Sequence, residues 1–113
     1  MGGFRPHEHL RRRADFQRVY ERGSKVHGRL ATLFVLPNDL TVGRLGIAAT
    51  KKIGGSVQRN RAKRLIREVF RHNKIAPGFD LVVVPKREFL DATLIAIEAD
   101  YRHSLERSLR RHR

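Results

Sequence analysis

Residues 57–72, Val-Gln-Arg-Asn-Arg-Ala-Lys-Arg-Leu-Ile-Arg-Glu-Val-Phe-Arg-His, constrain the chain more than any other stretch. Wound at about 100° per residue, Ala62, Leu65, Ile66, Val69 and Phe70 fall in one arc centred about 140° from Val57. Asn60, Lys63, Arg64, Arg67 and Arg71 fall in another, centred about 300° from the same origin. The spacing predicts a helix with one oily side to dock and one cationic side turned outward. Such a helix needs an apolar surface to lie on, and a sheet is the natural one.

The rest of the chain supplies that sheet. Phe16, Val19 and Tyr20 stand at i, i+3 and i+4 in an expected first helix, 12–22, and Gly23 stands where it would stop. Residues 29–36 read as a strand, Pro37-Asn38-Asp39 as a turn and 42–51 as a second strand. Ser56 is the expected N-cap of the 57–72 helix. Ala76-Pro77-Gly78 breaks the chain, and Leu81-Val82-Val83-Val84, apolar on both faces, reads as a central strand. Asp91 is expected to cap a last helix whose stripe is Leu94, Ile97, Tyr101, Leu105 and Leu109. The strand, helix and strand from 42 to 85 form a βαβ crossover. Residues 1–113 thus make one α+β domain, with 1–10 expected to fray.

Charge narrows the function. The chain has 25 Lys and Arg against 11 Asp and Glu, a net charge of +14, which strains a folded chain unless a polyanion answers it. Between Lys51 and Arg71 lie eight cations and one acid, Glu68, so this segment carries about half the excess. A charged helix face is commonly just a solvated one. This face is nearly all of one sign and mostly arginine, whose planar fork grips phosphate and stacks on bases. Asn60 adds a donor and acceptor suited to base edges or a ribose hydroxyl. The helix N-terminus at 56–58 offers free N–H groups to a further phosphate. Arg64 and Glu68, four apart, are expected to pair.

A cleft for single strands is the second expectation. On the 42–51 strand, Leu45, Ile47 and Ala49 share one face, while Gly46, Ala48 and Thr50 leave a trough on the other. Phe16, Tyr20 and Phe34 would wall it with stacking surfaces, although aromatics at helical spacing are more often core.

Other chemistries find little support. The chain has no cysteine, which excludes disulfides, zinc-thiolate sites and a thiol nucleophile. No apolar run is long enough to span a membrane, and the start shows neither a signal-peptide core nor a myristoylation pattern, so a cytoplasmic location is expected. His7 and His9 lack a third ligand, Glu98 and Asp100 should point apart on their helix, and Asp80 and Asp91 read as turn or cap residues. Gly54-Gly55 lacks the Gly-Lys-Ser/Thr of a phosphate-binding loop. No catalytic or metal-binding residue is expected.

The run Gly46-Ile-Ala-Ala-Thr-Lys-Lys-Ile-Gly-Gly-Ser-Val-Gln-Arg-Asn-Arg-Ala-Lys-Arg-Leu-Ile-Arg-Glu-Val-Phe-Arg71 resembles the signature of the bacterial ribonuclease P protein family. That signature is a strand ending Lys-Lys-hydrophobic-Gly, a short turn, and a helix opening Arg-Asn-Arg. Asp15-Phe16, Val19-Tyr20 and Gly23 look like the family's first helix, with Tyr20 where phenylalanine is common. The resemblance implies an α-β-β-β-α-β-α sandwich around one mixed sheet, with a left-handed crossover. It implies that Arg59, Asn60, Arg61, Lys63, Arg64 and Arg67 face the catalytic RNA; Lys52 and Arg71 join them from the charge run. It implies that Phe16, Tyr20, Phe34, Thr50 and Lys51 line a cleft for the 5′ leader of precursor tRNA. Hydrolysis would belong to the RNA with Mg²⁺ bound mainly by it, partnered one to one by a monomeric protein. A ribosomal protein would share the charge and size but not the Arg-Asn-Arg segment. A peripheral membrane protein would need an apolar face left exposed opposite the basic one.

Overall fold

The computed structural model describes residues 8–73 and 77–110, without the Leu109 side chain. The elements run α1 (Arg13–Arg22), β1 (Ser24–His27), β2 (Ala31–Pro37), β3 (Arg44–Ile47), α2 (Ser56–His72), β4 (Phe79–Pro85) and α3 (Leu94–Arg110). This is the expected α-β-β-β-α-β-α order. The four strands form one mixed sheet in the order β1-β2-β4-β3, in which β4 runs antiparallel to β2 and parallel to β3. The Leu81–Val84 run is central, as its two apolar faces require.

Strand alternation divides the side chains between two layers. Leu33, Val35, Leu45, Leu81 and Val83 face α2 and α3, where Ala62, Ile66, Val69, Phe70, Ile97 and Tyr101 complete the larger core. The Phe70 and Tyr101 rings meet edge to face at 4.5 Å. Phe34, Leu36, Val82, Val84 and Ala48 face the other way and pack with α1 through Phe16 and Val19 and with Leu10. The molecule is therefore a three-layer sandwich. Each fully buried aliphatic or aromatic side chain stabilises it by roughly 1.5–3 kcal/mol.

Several sequence expectations need correction. The N-terminal segment does not fray as far as residue 10: His9 bridges Leu45 in parallel, the Leu10 amide donates to the Leu45 carbonyl at 2.8 Å, and Leu10 is buried. Residues 1–7 and 111–113 lie outside the described residues. The expected strand 29–36 is β2, two residues later. It is preceded by β1, whose sequence Ser-Lys-Val-His has one apolar residue and so gives little signal. The expected strand 42–51 shrinks to β3, because Thr50 caps a 3₁₀ turn at Lys51–Ile53 by accepting from the Lys52 amide at 3.3 Å.

Ser56 is the first residue of α2 rather than its cap. Gly55 takes the cap position, and its amide donates to Gln58 Oε1 at 3.1 Å. Asp91 does not cap α3: it ends a 3₁₀ turn, and Thr93 Oγ1 accepts from the Ala96 amide instead. The head of the α3 stripe, Leu94, is exposed.

Candidate nucleic-acid interface

The outward face of α2 is as the periodicity predicts. Ala62, Ile66, Val69 and Phe70 are buried, while Asn60, Arg61, Arg64 and Arg67 are exposed and Arg59 and Lys63 partly so. Among the described residues none of Arg59, Arg61, Lys63, Arg64 and Arg67 forms an ion pair. The expected Arg64–Glu68 pair is absent. Glu68 instead meets Arg71 at 3.2 Å and His72 at 3.6 Å, the acid-first order that suits a helix better. Arg71, though exposed, is therefore partly engaged within the protein. Lys51 and Lys52 stand exposed on the 3₁₀ turn that Ile53 anchors in the core. Gly54 follows at φ 137°, a conformation that side-chain-bearing residues rarely adopt.

On the opposite face of the sheet the three candidate aromatics do come together. The Tyr20 ring meets Phe34 edge to face at 4.9 Å and lies 6.4 Å from Phe16. Lys25 Nζ sits 5.5 Å above the Phe34 ring. Tyr20 is 39% exposed, and desolvation raises its hydroxyl above the ordinary phenol value, so it presents a neutral ring and donor. Phe16 and Phe34 are half-buried, serving core and surface together.

The trough, however, is not open along its length. A Cβ on Gly46 would lie 2.8 Å from the Phe16 ring and 3.2 Å from Leu10, so those side chains fill the space that the glycine leaves. Openness begins one row further on. There Thr32, Val84 and Ala48 adjoin across β2, β4 and the end of β3 and remain partly exposed. Two residues past Ala48 the chain reaches exposed Thr50 and Lys51. The cleft thus has α1 for a wall, this row for a floor and Thr50–Lys51 at its end.

Sequence reasoning missed the group that holds this wall in place. Asp80, read as a turn residue, is fully buried in β4. It accepts from Arg44 Nε at 2.8 Å and Nη2 at 2.7 Å, and from Asn38 Nδ2 at 2.8 Å. Arg18 on α1 reaches it at 3.4 Å. Burial pushes the carboxyl up, but the hydrogen bonds from Arg44 and Asn38 and the charges of Arg44 and Arg18 outweigh it and hold the group below the usual carboxylate range. The signal lay in the strand: an acid sharing a face with Val82 and Val84 cannot be a surface turn residue. Glu98 and Asp100 are likewise structural. Glu98 accepts from Asn73, and Asp100 from the amides of Arg29 and Leu30.

Among the described residues no three of His, Cys, Asp or Glu gather as a metal-holding group, and no helix is long and apolar enough to cross a membrane. Fold and surface together define a small basic α+β domain with a cationic helix face on one side of its sheet and an aromatic cleft on the other. The family model for ribonuclease P matches residues 4–109. The ribonuclease P protein component of Clostridioides difficile is 33% identical over 102 residues, covering 88% of this chain and 90% of the relative. That of Clostridium kluyveri is 43% identical over 82 residues, covering 69% and 73%. The ribonuclease P proteins of Staphylococcus aureus and Thermotoga maritima superpose with TM-scores of 0.77 and 0.79. They are 34% and 33% identical, and each alignment covers 88% of this chain, with 93% and 96% of the respective structures. The chain belongs to the ribonuclease P protein family.

Proposed function

We propose that this protein is the subunit that binds the catalytic RNA of ribonuclease P and the 5′ leader of precursor tRNA, assisting leader removal in the cytoplasm. One observation carries the reading: α2 turns outward a set of cations that form no ion pairs among the described residues, while its apolar side is docked on the sheet. Arg59, Asn60, Arg61, Lys63, Arg64 and Arg67, with Lys52 nearby, would grip phosphates of the catalytic RNA. Arg71 contributes less, being shared with Glu68. The single-stranded leader would lie along the Thr32–Val84–Ala48 floor, stacking on Tyr20 and the exposed parts of Phe16 and Phe34, with Thr50 and Lys51 at the phosphates. Stacking contributes roughly 1–3 kcal/mol per base.

Hydrolysis belongs, in this proposal, to the RNA with its Mg²⁺. In this reading the protein binds, orients and neutralises, as one copy per RNA. Family membership separates it from a ribosomal protein, and the docked apolar face of α2 argues against a membrane surface. Adding the purified protein to a ribonuclease P RNA at low Mg²⁺ should stimulate leader removal; no stimulation would overturn the proposal. Replacing Phe16 and Phe34 by Leu should leave the protein folded yet reduce the preference for leader-bearing over mature tRNA. A preference that survives would remove the leader from this cleft.

A further inference from the structure

The outer edge of β3 is bordered by two cationic elements distant in sequence. On one side the backbone bridge at Leu45 and the burial of Leu10 pin the N-terminal segment, which brings His9 and Arg11 to the rim. On the other side α2 brings Lys63 and Arg67. Between them lies an open groove of 420 Å³ whose apolar lining is Leu10, Phe16, Leu45 and Ile47, with no acidic residue among the described residues that line it. Its size falls within the range of small-ligand clefts, ~300–1,000 Å³. That is too small for a nucleic-acid duplex.

Like charges facing each other across an apolar floor call for a ligand that is anionic at both ends and flat and apolar between. An unpaired nucleotide has that form: its base meets the floor and its two flanking phosphates meet the rims. The geometry points to this groove as a binding site for one extruded nucleotide of the catalytic RNA, held by His9 and Arg11 against Lys63 and Arg67. The inference rests on the proposed function, and the occupant follows from continuity, since Lys63 and Arg67 also belong to the outward face of α2. The N-terminal segment is then a second bank of the RNA interface rather than a tail.

The test titrates the full-length protein with ribonuclease P RNA over a range of salt. It compares wild type, His9→Ala/Arg11→Gln, Lys63→Ala/Arg67→Ala and the combined variant. The substitutions leave the backbone groups of the bridge in place, and thermal melts verify folding. The His9/Arg11 variant should lower the slope of log affinity against log salt by about 0.7–0.9 for each phosphate it no longer neutralises. Its loss should be smaller in the Lys63/Arg67 background than in wild type, because both pairs hold one nucleotide. An unchanged slope, or fold-losses that simply multiply, would overturn the groove. So would a loss seen only when holoenzyme meets leader-bearing substrate, which would make the leader the occupant. Wild-type protein that fails to bind the RNA at all would instead overturn the function on which the inference rests.

Discussion

Asp80 is a carboxylate inside an apolar layer, and its three polar neighbours turn a liability into a fastening. A buried ion with one partner removed is strongly destabilising, by about 3–5 kcal/mol. Asp80→Asn would leave the Arg44 guanidinium, itself mostly covered, facing an uncharged amide. It should cost about 3 kcal/mol at neutral pH, measured by urea unfolding. The pH dependence has a definite sign. Because the folded carboxyl lies below its unfolded value of about 3.9, its contribution is complete above that value and disappears as pH falls through the folded one. The variant should therefore show a flatter loss of stability than wild type below about pH 4. Equal curves would mean that Asp80 does not carry the acid sensitivity.

At the scale of elements, the start of α3 is set by the side chain that satisfies its exposed backbone groups. Thr93 does so for α3 and Asp91 does not. Thr93→Ala should cost about 1 kcal/mol and Asp91→Ala far less, measured by thermal or denaturant melts; the reverse order would restore the sequence expectation. The α2 face is the element on which RNA affinity depends. Replacing Arg59, Arg61 and Arg67 together by Ala should weaken binding to the catalytic RNA and reduce its salt slope by about 0.7–0.9 for each phosphate left unneutralised. Stability should change little, because these side chains lie off the core. A slope equal to wild type would move the RNA elsewhere on the surface.

Across the whole molecule, a net charge of +14 works against the compact state through self-repulsion that salt screens. The melting temperature of the free protein should rise between low and physiological ionic strength, and rise further with sulfate or phosphate; a flat response would show that the excess is already balanced internally. The sequence by itself determined the two-faced α2 and the central β4, each from the spacing of apolar residues along a local period, since burying one face fixes where the other points. The third strand before α2 and the meeting of Phe16, Tyr20 and Phe34 were legible only through the family resemblance, because β1 carries one apolar residue and the aromatics come from separate elements. The sequence also marked the Arg-Asn-Arg face, because side chains left over from core packing must meet solvent or a partner. Only the tertiary structure decided that Asp80 is buried rather than in a turn, that Glu68 answers Arg71 rather than Arg64, that Phe16 fills the space at Gly46, and that His9 and Leu10 extend the sheet. All but the Glu68 pairing, a choice of side-chain geometry within one helix, depend on what a neighbour remote in the chain supplies: a guanidinium, a ring or an unpaired strand edge. No local period records those neighbours.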